Sequence, residues 1–326
     1  MAAALSAPAS GTGLAPGLDN RALLARSRGF LLFALGLGLC FAWPLVELVR
    51  YAAHSELYSH VPLVPIISGY LAWTDRHRLP AQSRSGRGWA WLPLLLGSLL
   101  LGGYWVAVAR DTRLSGNDSL ALTIGAFVCF LGAGALVFLG RDWVRVLAFP
   151  LAFLLFLVPM PDVLLDWIIT FFQYTSAGAA FVLLKCGAMP MLYQGLTFQL
   201  PGIDIEVAPE CSGIHSSLVL FMTSLLGGHL FLRAGWRKTL LAVTVVPLGI
   251  LRNGFRIFVI SMLCVHVSPE MINSPIHHKG GPLFFVLSLI PFFALLLWLR
   301  KSEARREARF AASPLGRQPL ASSPPP

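Results

Sequence analysis

Charge is what this 326-residue chain has least of. Asp, Glu, Lys and Arg together make up 12% of it, against about 25% in a soluble globular domain. The shortfall excludes a soluble globular protein. In its place stand repeated apolar runs of about 20 residues, each long enough to cross a bilayer as a helix. Hydrophobic residues reach 56%, and mean hydropathy is +0.70. Acidic residues are the scarcer sign, 15 against 25 Lys and Arg. The resulting net charge of +10 does not argue for a nucleic-acid partner, because the cations fall in short loops and at the two ends, the pattern of cytoplasmic anchoring. Cysteine is sparse too. None of the five stands in a CxxC or Cys/His spacing that would hold a metal, and no motif calls for a cofactor. Cys40 and Cys129 fall mid-span, where a thiol is a small apolar filler. There is no internal repeat.

What is present predicts an all-α polytopic membrane protein. About eight spans are expected, at 29–49, 58–74, 88–108, 118–140, 143–160, 212–232, 239–265 and 282–299. Residues 1–28, rich in small residues and ending in Arg21, Arg26 and Arg28, read as a disordered basic segment. The run that follows is too long for a signal-peptide core and is expected to be retained. The membrane domain occupies 29–300. Residues 301–326 read as a disordered cytoplasmic tail, basic and then Pro/Ser-rich. Arg76, Arg78, Arg84 and Arg87, then Arg141 and Arg145, then Arg233, Arg237 and Lys238 mark further inner loops. The loops 50–57, 109–117, 185–211 and 266–281 then fall outside, in the cytoplasmic (inner) membrane of the cell.

Two stretches break the pattern. Residues 161–184 are apolar enough to span, but a crossing would bring Cys211 to the cytoplasmic side. Asp162, Asp166, Trp167, Gln173 and Tyr174 make the first half amphipathic. An interfacial or re-entrant helix is therefore expected. In 196–209, Phe198, Leu200, Ile203, Ile205 and Val207 partly alternate with polar residues about Pro201-Gly202, the pattern of a small β-hairpin leading into Cys211. Its edge would suit an extended peptide.

Chemistry concentrates where apolar segments carry groups that hydrocarbon rejects. Cys211 stands at the expected N-terminus of the span from 212, where a helix end favours the thiolate. Ser212 and Gly213 beside it permit close approach of another backbone. Glu210 precedes it. Arg256 lies 17 residues into the span from 239, about 25 Å along the helix, in the outer half of the hydrocarbon, where an Arg is a functional candidate by default. Asn253, on the same helix face, is placed to hold the guanidinium. Arg252 points about 100° away and reads first as a structural ion-pair member, with Glu206, Glu210 or Asp166 as partners. His277 and His278 open the last span and can exchange a proton near neutral pH. His215, one turn after Cys211, is an alternative imidazole, and His60 a further one. A thiolate attacking a carbonyl, an imidazole protonating the leaving amine and a fixed guanidinium at the developing oxyanion form a consistent set.

At these residues the sequence resembles the exosortase/archaeosortase family of membrane cysteine transpeptidases. The matching blocks are Glu210-Cys211-Ser212-Gly213-Ile214, Asn253-Gly254-Phe255-Arg256-Ile257, and His277 followed four residues later by Gly281. Tyr58-Ser59-His60 with Leu63-Val64-Pro65 resembles the family's N-terminal signature, and Gly187 through Gln194-Gly195 to Val207 its pre-cysteine stretch. The likeness covers roughly residues 45–300. It implies a catalytic triad of Cys211, Arg256 and His277. His215 stands where relatives often have Arg, and the tandem histidines leave His278 open. The resemblance further implies the substrates: secreted proteins with a C-terminal sorting signal made of a short motif, a transmembrane helix and a basic tail. These would be cleaved at the outer face and passed to a surface acceptor, an exopolysaccharide or a lipid. No cofactor is implied.

Two other classes compete. A non-enzymatic exopolysaccharide assembly or export component would use the intramembrane Arg and His to line a polar path. A membrane glycosyl or acyl transferase would want paired carboxylates, which Asp204, Glu206 and Glu210 supply only loosely.

Overall fold

The structure, a computed structural model, describes residues 17–80, 83–273 and 281–312, with side chains described for all of these except 17–25, 210, 211, 272, 273 and 307–312. The chain divides into two compact units, Met1–Pro161 and Asp162–Pro326.

In the first unit a helix runs Gly17–Cys40 (α1) and a second Ala42–His54 (α2). The two are bent by 73° at their junction, so the expected straight span at 29–49 is broken. Pro44 accounts for the break, since its ring nitrogen cannot bond back to Cys40. Residues 17–28, expected to be disordered, are helical. Their Leu-Asp-Asn-Arg-Ala-Leu-Leu-Ala-Arg run combines polar starters with strong helix formers. Leu63–Asp75 (α3) has only 13 residues, about 20 Å at helical rise, and falls short of the span expected at 58–74.

Gly116–Phe138 (α5) is the unit's centre, with Arg87–Ala109 (α4) packed along it. Ser115 caps α5 by accepting from the Asp118 amide at 2.9 Å. At Gly97 an added Cβ would lie 2.8 Å from Phe130 and 3.1 Å from Cys129, so the two backbones meet there as small residues allow between apolar helices. The outer face of α4, with Trp89, Leu94, Leu95, Leu99 and Trp105, is exposed, as suits a lipid-facing helix. The span expected at 143–160 is instead three short pieces: Arg141–Val146 (α6), Ala148–Phe153 (α7) and a 3₁₀ turn at Leu154–Leu157. Pro150 removes the amide that would have bonded Val146, and its carbonyl accepts from Ser68 at 2.7 Å.

The second unit begins with Asp162–Cys186 (α8), a 25-residue helix long and apolar enough to cross a membrane. It is continuous, without the break that a re-entrant segment would need. No proline interrupts it, and Ser176-Ala177-Gly178-Ala179-Ala180 gives it a small-residue stripe. It ends in a Schellman motif. Ala188, at φ 52, donates to Lys185 at 3.1 Å, Met189 donates to Leu184 at 3.1 Å, and both Met189 and Leu184 are buried.

Three antiparallel strands follow, Leu192–Gln194 (β1), Thr197–Leu200 (β2) and Ile203–Glu206 (β3), in the order β1-β2-β3. The expected hairpin is thus a three-stranded meander. Pro201-Gly202, with Gly202 at φ 85, makes the second turn. Phe198 pairs with Ile205 across β2 and β3. Both are buried with Leu200 and Val207 in a core shared with Ala177, Ala180, Ile257, Ile260 and Cys264.

Ile214–Phe231 (α9), Gly235–His266 (α10) and Gly281–Ala312 (α11) complete the unit. Helices α8 and α10 run in the same direction. An added Cβ would bring Gly249 against Phe172, Gly254 against Ala179 and Ala180, and Gly187 against Phe258. Helix α9 runs opposite to α10, with Gly213 beside Asn253 at one end and Gly228 beside Lys238 at the other. Residues 301–312, expected to be a disordered tail, continue α11. Glu303 accepts from the Arg233 and Ala234 amides at 3.1 and 2.8 Å, and buried Arg237 donates to the Leu299 carbonyl at 2.9 Å. Among the described residues six helices are long and apolar enough to span, or seven counting the bent α1–α2 pair, rather than eight.

Candidate active site

The cysteine block is a turn before α9, not its first turn. Ala208 is extended, Pro209–Ser212 makes one 3₁₀ turn, and Gly213 takes a left-handed φ of 72 before the helix starts at Ile214. Two residues, Ser212 and Gly213, therefore separate Cys211 from the start of α9. Side chains of Glu210 and Cys211 lie outside the described residues, as do His277 and His278 altogether.

What holds this turn comes from α10. Arg252 is 8% exposed. Its Nη2 donates to the Gly213 carbonyl at 2.9 Å and to Ser217 Oγ at 3.2 Å. Among the described side chains its partners are these neutral oxygens rather than Glu206 or Asp166, while the Glu210 side chain lies outside the described residues. Its Nη1 is buried without a hydrogen-bond partner among the described residues. Asn253, 2% exposed, packs against the same glycine: a Cβ on Gly213 would sit 3.1 Å from Asn253 Cγ and Oδ1 and 3.0 Å from Arg252 Nη2. Only glycine satisfies both the backbone conformation and this approach. A Cβ on Gly249 would meet Ser217 Oγ at 2.7 Å, so α10 closes on α9 here as well. Ser212 is buried.

Below the turn, Asn253, Arg256, Ile257 and Ile260 of α10 face Ile205, Glu206 and Val207 across a recess with about 20 Å³ of free space, room for about one water. Asn253 and Arg256 are thus gathered at one place, as their spacing implied, with Glu206 lining the same recess. His215 is half-buried, with Nδ1 buried and lacking a hydrogen-bond partner among the described residues. His60 belongs to the first unit. It is buried there, and its Nδ1 bonds the Leu57 carbonyl at 3.1 Å.

Residues to which the sequence assigned no part in the site complete the support. Gln173, buried in the middle of α8, donates to the Val207 carbonyl at 2.8 Å and fixes the chain between β3 and the cysteine turn. Its signal was in the sequence, a carboxamide inside an apolar run, but it reads equally as the polar face of an interfacial helix. Ser217 falls one helical turn after Gly213, a spacing that marks it only once Arg252 is known to point there.

Among curated proteins and among solved structures nothing matches the chain. Residues 48–294 match the family model for transmembrane exosortases. The matched range takes in the cysteine turn, the α10 block and the tandem histidines in their order. The chain belongs to the transmembrane exosortase family, and it is a multi-pass membrane protein.

Proposed function

We propose that this protein is a membrane-embedded cysteine peptidase or transpeptidase, acting at the extracytoplasmic face of the inner membrane on C-terminal sorting signals of secreted proteins. The family match over residues 48–294 carries the reading. The clamp of Arg252 and Asn253 on Gly213 supports it, because a nucleophile needs a rigid backbone behind it. The side assignment is supported by charge. Gly213 is at the opposite end of α9 from Arg233, Arg237 and Lys238, and such cations mark the inner side.

In this mechanism the Cys211 thiolate attacks the carbonyl carbon of the scissile peptide. The carbonyl π electrons move to oxygen, and Arg256 stabilises that oxyanion. Collapse re-forms the carbonyl and expels the amine, which takes a proton from His277, with His278 and His215 as alternatives. The product is a thioester on Cys211. An incoming nucleophile, either water or a group on a surface exopolysaccharide or lipid, gives its proton to the imidazole and releases the thiolate.

The test is Cys211→Ala beside Arg256→Ala and His277→Ala in the intact chain, with secreted precursors carrying the three-part C-terminal signal followed by immunoblot. Precursor should accumulate in the Cys211 and Arg256 variants while the enzyme inserts normally. Normal processing by Cys211→Ala ends the reading. If Arg256→Ala alone abolishes surface polysaccharide while Cys211→Ala is silent, the export-component alternative takes its place.

A further inference from the structure

A second cavity, in the first unit, is not used by this chemistry. It holds about 350 Å³ and is lined by Trp43, Glu47, Arg50, Tyr51, His54 and Gly116, among others. That volume is the size of a small-molecule site. Trp43, Glu47, Arg50 and His54 recur at helical spacing, so they share one face of α2. Leu48 and Ala52, on the opposite face, are buried. Glu47 and Arg50 are exposed, and neither has an ion-pair partner among the described residues. His54 Nδ1 is 2.8 Å from the Arg50 carbonyl. A carbonyl only accepts, so Nδ1 carries the proton, and Nε2 meets a phosphate oxygen as the second N–H of an imidazolium, which donates from both nitrogens.

The chemistry of this wall is zwitterionic. Arg50 and His54 suit a phosphate, for which a guanidinium offers a planar fork of donors. Glu47 is three residues from Arg50, about 4.5 Å along the axis, and suits an ammonium on the same ligand. The rings of Trp43 and Tyr51 add faces that attract a cation. The setting selects a lipid over a soluble zwitterion. Helix α2 turns 73° away from α1 at their junction, so it does not continue the line of α1. Its Trp43, Val46 and Val49 are exposed apolar side chains, the composition of an interfacial helix.

We propose that this cavity binds the headgroup of one zwitterionic phospholipid, with the phosphate on Arg50 and His54 and the ammonium on Glu47 and the rings.

The test uses the full-length protein released from detergent and titrated with phosphatidylethanolamine, phosphatidylcholine or phosphatidylglycerol of identical acyl chains, with bound lipid counted by native mass spectrometry. One zwitterionic lipid should be retained at least tenfold more tightly than phosphatidylglycerol. Inorganic phosphate at matched concentration should not displace it. Arg50→Gln and Glu47→Gln should each weaken binding about tenfold, the scale of one charge-assisted bond. Gly116→Leu should block binding without removing a charge, because Gly116 lines the cavity and a Cβ there meets nothing within 4 Å. Arg110→Gln, outside the cavity, should bind as wild type. Equal retention of phosphatidylglycerol, displacement by phosphate, or unchanged binding in Glu47→Gln and Gly116→Leu overturns the proposal. Glu47→Gln alters one exposed charge, so its outcome is not clouded by misfolding.

Discussion

Gly213→Ala is the sharpest test of the cysteine turn, because the structure separates its two costs. The first is conformational: Gly213 sits at φ 72, ψ 16, and an L-residue there costs about 1–2 kcal/mol. The second is steric. The new Cβ would stand 3.0 Å from Arg252 Nη2 and 3.1 Å from Asn253 Cγ and Oδ1. Both neighbours are buried and cannot swing into solvent, so overpacking adds about 1–3 kcal/mol. Gly202→Ala is the control. It has φ 85 but nothing within 4 Å of its Cβ, so only the first cost of about 1–2 kcal/mol applies. Asparagine, which tolerates the left-handed region, should rescue position 202 and not position 213. Thermal unfolding by tryptophan fluorescence in detergent reads stability, and the precursor-to-mature ratio of a secreted client reads function. Gly213→Ala should reduce processing at least tenfold, the effect of about 1.4 kcal/mol, with Gly202→Ala near wild type. If the two variants behave alike in both assays, the close approach of α10 to the turn is not what constrains it.

Gln173→Leu should cost about 1–3 kcal/mol, because it strands the Val207 carbonyl inside the unit; a smaller shift in unfolding temperature than for the half-buried Thr175→Val, whose hydroxyl bonds only its own helix, would refute the bond's role. Gly254→Ala brings a Cβ to 2.7 Å from Ala179 and 3.1 Å from the Ala180 nitrogen, and should destabilise by about 1–3 kcal/mol through forced separation of α8 and α10. Ala188→Gly runs the other way: it relieves the left-handed C′ position of the α8 cap and should stabilise by roughly 1 kcal/mol, seen as a higher unfolding temperature. Arg252→Gln removes a cation near the cysteine turn, so the pH midpoint for alkylation of Cys211 by iodoacetamide, read by peptide mass spectrometry, should move up relative to wild type. An unmoved midpoint would mean that Arg252 supplies only shape.

Hydropathy located most of the long helices because burial in lipid and burial in protein leave the same apolar record. For the same reason it could not say which runs stay continuous. Residues 143–160 and 162–186 look alike by composition, yet Pro150 sits in the middle of the first and no proline interrupts the second, so one breaks and the other forms a 25-residue helix. Polar residues misled in α8. Asp162, Asp166 and Gln173 read as a wet face, whereas Gln173 is buried against Val207. Alternation in 196–209 correctly marked strands β2 and β3. Strand β1 has three residues, too few for a period to show. At the ends, over 17–28 and 301–312, the helix formers Leu, Ala, Arg and Glu outweighed the small-residue and Pro/Ser-rich surroundings that suggested disorder.

The two arginines of α10 show what spacing leaves open and contact decides. Arg252 and Arg256 are one turn apart, a like-charge arrangement that weakens a helix unless each finds its own partners. Position alone marked both as costly and favoured Arg256. The acceptors separate them. Arg256 lines a recess together with Glu206 and Asn253. Arg252 is buried with Nη2 on a carbonyl and a hydroxyl, neutral oxygens that do not cancel its charge. A guanidinium so held keeps its positive field directed at the turn that carries Cys211. On the proposed chemistry the work is then divided, with Arg252 shaping the turn and favouring the thiolate, while Arg256, half-buried beside the recess, is left to meet the oxyanion.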